Sequence, residues 1–256
     1  MFIISRTNES RPPIVASYIL LTLTPCEVYV SFNASLCSRY ASKLALFIEI
    51  HPEPPVVNES ISFKEKTIII DAGHGGHDPG KVGVTGCYEK DINMKITAKL
   101  KSFLEMEGIE VVLTRDGDYS LCSESDQNKK NTDMKNRMDI IEKNNPVLVV
   151  SIHQNSYSSP EIKGAQAFYY PNSGKSRELA RVIQERLVAT LDTANRRKIS
   201  ANDSYYLLKN ISCPTVIVEC GFLSNPQECE NLETDYYQEK VAWAIYMGIM
   251  QYLNAK

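Results

Sequence analysis

From Thr67 onward, short runs dense in Val and Ile alternate with longer amphipathic segments, and no other feature limits the available folds as much. The runs are TIIID (67–71), IEVVLTR (109–115), PVLVVSIH (146–153) and CPTVIVE (213–219), with GAQAFYY (164–170) as a further strand. Runs that are apolar throughout, rather than at every second residue, suit strands covered on both faces. Between them, Ile92, Ile96, Leu100, Phe103 and Leu104 recur at helical spacing in residues 90–108, where Gly108 offers a stop. Leu179, Val182, Ile183, Leu187 and Leu191 repeat the pattern in residues 176–192. Residues 132–145 and 235–253 complete the helical set. Strands alternating with helices of this length predict an α/β three-layer sandwich, its mostly parallel, twisted sheet covered by helices on both faces. The polar segment 116–131 exceeds a tight connection and reads as a loop near the mouth of a site.

Residues 1–66 follow different rules. The stretch PPIVASYILLTLTPC (12–26) carries no charge and follows Arg6 and Arg11, like the apolar region of a signal peptide or membrane anchor. It falls short of the roughly 20 residues that span a bilayer. HPEPPVVNES (51–60) reads as a linker. The expected organisation is a signal- or anchor-like segment over 1–66 and a globular domain over 67–256, in an exported or membrane-anchored protein.

A net charge of −3, with no basic stripe, gives no electrostatic case for nucleic acid. The seven cysteines form no C-x-x-C pair, so neither a zinc ribbon nor a full disulfide framework is indicated. Most read as small buried thiols.

The chemistry gathers where strands end. His74 lies just beyond TIIID, His153 closes VLVVSIH and Glu219 closes TVIVE. In open α/β sheets, sites form outside the carboxyl ends of strands, so these side chains can converge on one cleft. Glu89 sits where the chain leaves the glycine-rich loop to begin its first helix. Two imidazoles and one carboxylate suit a catalytic zinc ion, which keeps a fourth position open. A carboxylate outside the metal shell can then move protons, and Glu219 suits that role. Taken singly, each residue has a plainer reading: loop histidines, a helix-start glutamate near the dipole, and a core-edge carboxylate in need of a partner.

Other readings fit less well. From Gly75 the loop spells G-x-x-x-x-G-K, but Val82 stands where a phosphate loop needs Ser or Thr, and GVTG is a poor helix start. A non-haem iron oxygenase would also use two histidines and one carboxylate, but it leaves Glu219 unexplained. His77 forms an H-x-x-H pair with His74, although a loop this rich in glycine need not aim both rings at one ion. Cys220 lacks a spaced acid-base set, and Trp243 reads as core.

In order, IIIDAGHGGHDPGKVG, YEKDINMKI, VVLTRDGD, KNRMDIIEKNNPVLVVSIHQNS and PTVIVECGFLSNPQE resemble the successive motifs of the zinc-dependent N-acetylmuramoyl-L-alanine amidases over about residues 66–254. The resemblance implies one Zn2+ on His74, Glu89 and His153, with Glu219 as the catalytic glutamate. It also implies a peptidoglycan substrate whose bond between N-acetylmuramic acid and L-alanine is hydrolysed. Arg115, Arg137 and Asn155 fall on recurrent positions of the family, with Arg115 and Asn155 expected at the substrate. ANRRKISANDSYYLLKN (194–210) is similar to the germination-specific, spore-cortex branch, in which peptide removal precedes muramic δ-lactam formation. That branch implies a location in the spore envelope or cell wall, and a protein activator that helps form the metal site is a further expectation. A vegetative cell-wall autolysin would use the same chemistry.

Overall fold

The computed structural model of the chain describes residues 16–23, 26–33, 63 and 65–255. The chain divides into two units, Met1–Pro54 and Pro55–Lys256. In the first, strands β1 (Ala16–Leu23) and β2 (Cys26–Asn33) pair antiparallel, from Ala16 opposite Asn33 to Leu23 opposite Cys26. The rest of the segment expected to be signal- or anchor-like lies outside the described residues, apart from Phe63, Glu65 and Lys66. Among the described residues, no helix is long and apolar enough to cross a membrane.

The second unit carries a six-stranded sheet. Its strands are β3 (Thr67–Ala72), β4 (Glu110–Leu113), β5 (Leu148–Asn155), β6 (Gln166–Tyr169), β7 (Ser200–Ala201) and β8 (Thr215–Phe222). They lie in the order β4-β3-β5-β8-β6-β7, all neighbours parallel except β6 against β8. The helices are α1 (Glu89–Met106), α2 (Lys129–Asn144), α3 (Gly174–Leu191), α4 (Tyr206–Asn210), α5 (Pro226–Glu233) and α6 (Asp235–Asn254). The expected α/β sandwich is therefore present.

Alternate residues of the central strands feed two separate cores, because successive strand side chains point to opposite faces. Ile68, Ile70, Val150, Ile152, Val216 and Val218 bury one face under α1, α3, α5 and α6. Ile69 and Val149 bury the other against Met138 and Ile141 of α2 and Leu207 of α4. Covering both faces is what makes these strands apolar at every position. Phe63, just ahead of the expected domain start, is already part of the first core.

Several elements of the second unit differ from expectation, the five-residue helix α4 among them. Helix α2 begins at Lys129 rather than 132, its amino end capped by the Asn128 side chain, which accepts from Asn131 N–H at 3.2 Å. Helix α5 starts with Pro226 after an Asn225 cap, a favourable start carried by a mostly polar sequence. Strand β7 has only two residues, too few for any periodicity. Trp243 packs edge-on against Phe103 at 5.4 Å beside the first core, as expected.

Candidate active site

Strand β3 delivers the first residue. After Ala72 the backbone turns sharply, with φ of 62° at His74, 135° at Gly75 and 58° at Gly76. Left-handed backbone is uncommon for a residue with a side chain and persists only where surroundings enforce it. Two arginines do so here. Arg137 donates to Ala72 O at 2.8 Å and to His74 O at 2.7 Å, while Arg115 donates to Ala72 O at 2.9 Å and Gly73 O at 3.0 Å.

Arg137 is itself anchored by Asp71 at 2.6 Å and Asp133 at 2.6 Å. Burial alone would raise the Asp71 pKa. The Arg137 guanidinium and the Ser151 and Thr114 hydroxyls outweigh it and hold the carboxyl well below the usual range. Arg115 also reaches Gly117 O and Lys90 O, both at 2.9 Å, and the sulfur of Met94. Arg115, expected at the substrate, is held inside the protein in this structure. It is 1% exposed, and its donors are spent on backbone carbonyls and one thioether.

The loop then folds back on its own histidine. Asp78 Oδ2 holds His74 Nδ1 at 2.8 Å, which leaves Nε2 facing Glu89 Oε2 at 3.2 Å. Glu89 opens α1 and is buried. Its Oε2 accepts from Lys81 N–H at 2.8 Å, and its Oε1 accepts from Gln154 N–H at 3.0 Å. Oε1 also lies 3.0 Å from His153 Nδ1. His153 ends the apolar part of β5, and its ring lies against Gly73, where no side chain would fit. The two imidazoles meet edge-on with centroids 5.0 Å apart. One ligating atom each of His74, Glu89 and His153 thus falls within 4.8 Å of the others.

Burial alone would lower the His74 pKa, but Asp78 and Glu89 outweigh it and raise it to about 9. The same two imidazoles hold the Glu89 carboxyl far below its ordinary value despite burial. The cluster therefore favours positive charge at its centre. The side chains of His74 and His153 are 25% and 22% exposed, against 2% for Glu89, so the centre opens to solvent on the histidine side.

Glu219 stands beside it, paired in register with His153 across β5 and β8. Burial pushes its carboxyl up to about 7, opposed by His153 and aided by Glu89. Its Oε2 is buried with no hydrogen-bond partner, while the Tyr205 hydroxyl interacts with the carboxylate. Asn155 ends β5 part-exposed, its Oδ1 taken by Ser156 N–H at 2.8 Å.

The structure thus brings His74, Glu89, His153 and Glu219 together and leaves His77 out, its ring 2.9 Å from Ser120. Ser120 and Asp118, which accepts from Gly76 N–H at 2.8 Å, lie within the expected mouth loop. Cys220 is fully buried, and burial pushes its thiol well up, so it is no nucleophile. The phosphate-loop alternative fails on geometry, since α1 begins at Glu89 and not after Lys81.

Sequence reasoning missed three residues. Asp78 orients His74, but Asp-Pro-Gly reads as an ordinary turn. Asn93 donates to Gly73 O at 3.1 Å and lies 3.5 Å from Glu89 Oε1; its signal was its position one helical turn after Glu89. Tyr205 carried no local signal.

The model of the family described as N-acetylmuramoyl-L-alanine amidase matches residues 68–251. The chain belongs to that amidase family. The germination-specific N-acetylmuramoyl-L-alanine amidase of Bacillus subtilis is 35% identical over 77% of this chain and 84% of its own length. Among solved structures, the CwlD amidase of Clostridioides difficile, in complex with the GerS lipoprotein, is 46% identical with a TM-score of 0.73. That match covers 75% of this chain and 100% of the other. The amidase AmiC2 of Nostoc punctiforme is 32% identical with a TM-score of 0.65, covering 73% and 97%.

Proposed function

We propose that this amidase hydrolyses the amide between the lactyl group of N-acetylmuramic acid and L-alanine in peptidoglycan, acting on spore cortex. One observation carries the mechanism: a buried glutamate with an unpartnered oxygen stands in register beside a His–Glu–His cluster. Kinship with the germination-specific amidase and with CwlD supports the cortex as substrate.

The cluster fits zinc. It offers two nitrogens and one oxygen, it favours positive charge, and Asp78 fixes the His74 tautomer as carboxylates do for metal-bound imidazoles. His74, Glu89 and His153 would hold the ion. When bound, zinc supplies Lewis-acid polarisation of the carbonyl and lowers the pKa of water. Glu219, buried beside the cluster with an unpartnered oxygen, takes a proton from the attacking water and delivers it to the departing amine of L-alanine. Tyr205 steadies the Glu219 carboxylate, and Asn155, part-exposed at the strand end, is suited to meet the substrate.

Export to the spore envelope, attachment through the amino-terminal segment and activation by a protein partner extend the same reading. The CwlD amidase, similar to this chain, was solved in complex with the GerS lipoprotein, which supports a protein partner.

The test incubates purified chain with cortex peptidoglycan, with and without a chelator, and maps the products by mass spectrometry. Peptides with free L-alanine amino termini should appear and should vanish on chelation. Cleavage elsewhere in the glycan or peptide would refute the assigned bond, and chelator-insensitive release would refute the metal.

A further inference from the structure

Cys87 and Cys229 lie 142 positions apart in the chain, yet their sulfurs approach to 3.5 Å. Cys229 is buried on α5, whereas Cys87 is part-exposed in the segment that leads into Glu89. The pair is held from several sides. Thr85 Oγ1 lies 3.3 Å from Cys229 Sγ. Gly83 backs onto both sulfurs, where an added Cβ would come within 2.5 Å of Cys87 Sγ and 2.6 Å of Cys229 Sγ. The same segment is fastened by Gly83 N–H to Cys87 O at 2.8 Å and by Val84 N–H to Leu223 O at 3.0 Å. A sulfur-sulfur bond of about 2.05 Å is then roughly 1.5 Å away, a distance that side-chain rotation can close. Three other cysteines of the second unit approach oxygens instead: Cys122 the Ser120 hydroxyl, Cys213 the Thr215 hydroxyl and Cys220 the Val218 carbonyl.

We propose that Cys87 and Cys229 form a disulfide that pins the Glu89-bearing segment to α5. The oxidant is a low-molecular-weight disulfide. Burial pushes the Cys87 thiol up to about 11, but it is the part-exposed sulfur of the pair, the one a small disulfide can reach; on losing its proton it attacks one of the reagent's sulfurs, forming a mixed disulfide and releasing one thiol. The Cys229 thiolate then attacks the Cys87 sulfur, forms the internal bond and releases the second thiol. Two cysteine sulfurs are oxidised, the reagent disulfide is reduced to two thiols, and the two cysteine protons end on those thiols. A carboxylate oxygen of Glu233 lies within 4.8 Å of both sulfurs, which makes a thiophilic cation the competing occupant. Glu233 is exposed, however, and structural thiolate sites use four ligands where only three are offered.

The test reduces the full-length protein, strips it with a chelator and equilibrates it with glutathione disulfide. Non-reducing peptide mapping should find the Cys87 peptide joined to the Cys229 peptide, lighter than their sum by two hydrogens. Because the link closes a long loop, the Tm should rise by about 5–15 °C and fall back on reduction. The rise should be absent from Cys87→Ala and Cys229→Ala. Mapping of the unaltered chain keeps the result decisive should either variant fold poorly. Three results would overturn the proposal: both thiols remaining free or only glutathionylated, a Tm rise that persists in both variants, or cadmium bound through both thiols with no disulfide formed on oxidation. The outcome is independent of amidase activity.

Discussion

Glu219 is costly to the fold for the same reason that it suits the proposed proton transfer. An oxygen buried without a partner resists ionisation, and the carboxyl is pushed up to about 7. Glu219→Gln should lower muropeptide hydrolysis by about 10²–10⁴-fold while zinc content by atomic absorption stays unchanged. The same substitution should stabilise the metal-free protein, and the sign follows from linkage. Below pH 4.5 the side chain is protonated in both folded and unfolded states, so the variant gains little. As pH rises from there to about 7, the unfolded state ionises first, and the native enzyme loses stability relative to the variant. Above that window the difference is constant. Thermal melts of both proteins from pH 4 to 8 would reject this account if the gain were absent or shrank with pH. Asp78 acts one bond further out. Asp78→Asn removes the charged acceptor on His74 Nδ1 and should weaken zinc binding by about 10–100-fold, read by competition with a chromophoric chelator. An unchanged affinity would mean that loop geometry alone fixes the ring.

Strand β3 and its exit show how an element positions His74 through a network of its own. Asp71 gathers Arg137, Ser151 and Thr114, and Arg137 in turn grips the carbonyls of Ala72 and His74. Asp71→Asn leaves a buried guanidinium with part of its partner lost and should cost about 3 kcal/mol or more in urea denaturation at pH 7. The Asp71 pKa is depressed in the fold, so its contribution is full above the unfolded value of 3.8 and is lost as pH falls below it. The variant should therefore show a flatter acid limb than the native chain, and parallel limbs would contradict the assignment. This network was only partly legible. Arg115 and Arg137 stood out only through the family resemblance, and an arginine that braces a loop and one that meets a substrate look alike in sequence. Only the partners of its donors tell them apart. Asp71 was hidden inside TIIID, where the apolar run signals the strand and gives no hint that its last side chain is paired. Helix α5 and strand β7 were missed because one is short and mostly polar and the other has two residues, so neither carries a measurable period.

At the scale of the whole domain, the central strands were legible because helices cover both faces and force continuous apolar runs. The direction of β6 was not, since residue type does not encode parallel or antiparallel pairing in so short a strand. The gathering of His74, His153 and Glu219 was legible because strand ends in such sheets point into one cleft, whereas Tyr205 arrives from a distant connection with no local mark. That convergence has a thermodynamic consequence. His74 follows β3, Glu89 opens α1 and His153 lies on β5, so one ion would tie together three elements separated in the chain. A ligand that binds only the folded state stabilises it in proportion to the logarithm of its concentration over Kd. At free zinc about a hundredfold above Kd, that amounts to about 2.7 kcal/mol, or roughly 5–10 °C in Tm for a domain of this size. Calorimetry on chelated and zinc-reloaded protein should show this rise, and His153→Ala should abolish it, because the remaining two ligands no longer close the set. A rise of the same size in His153→Ala would place the stabilising ion elsewhere, with the Cys87, Cys229 and Glu233 cluster the first alternative to examine.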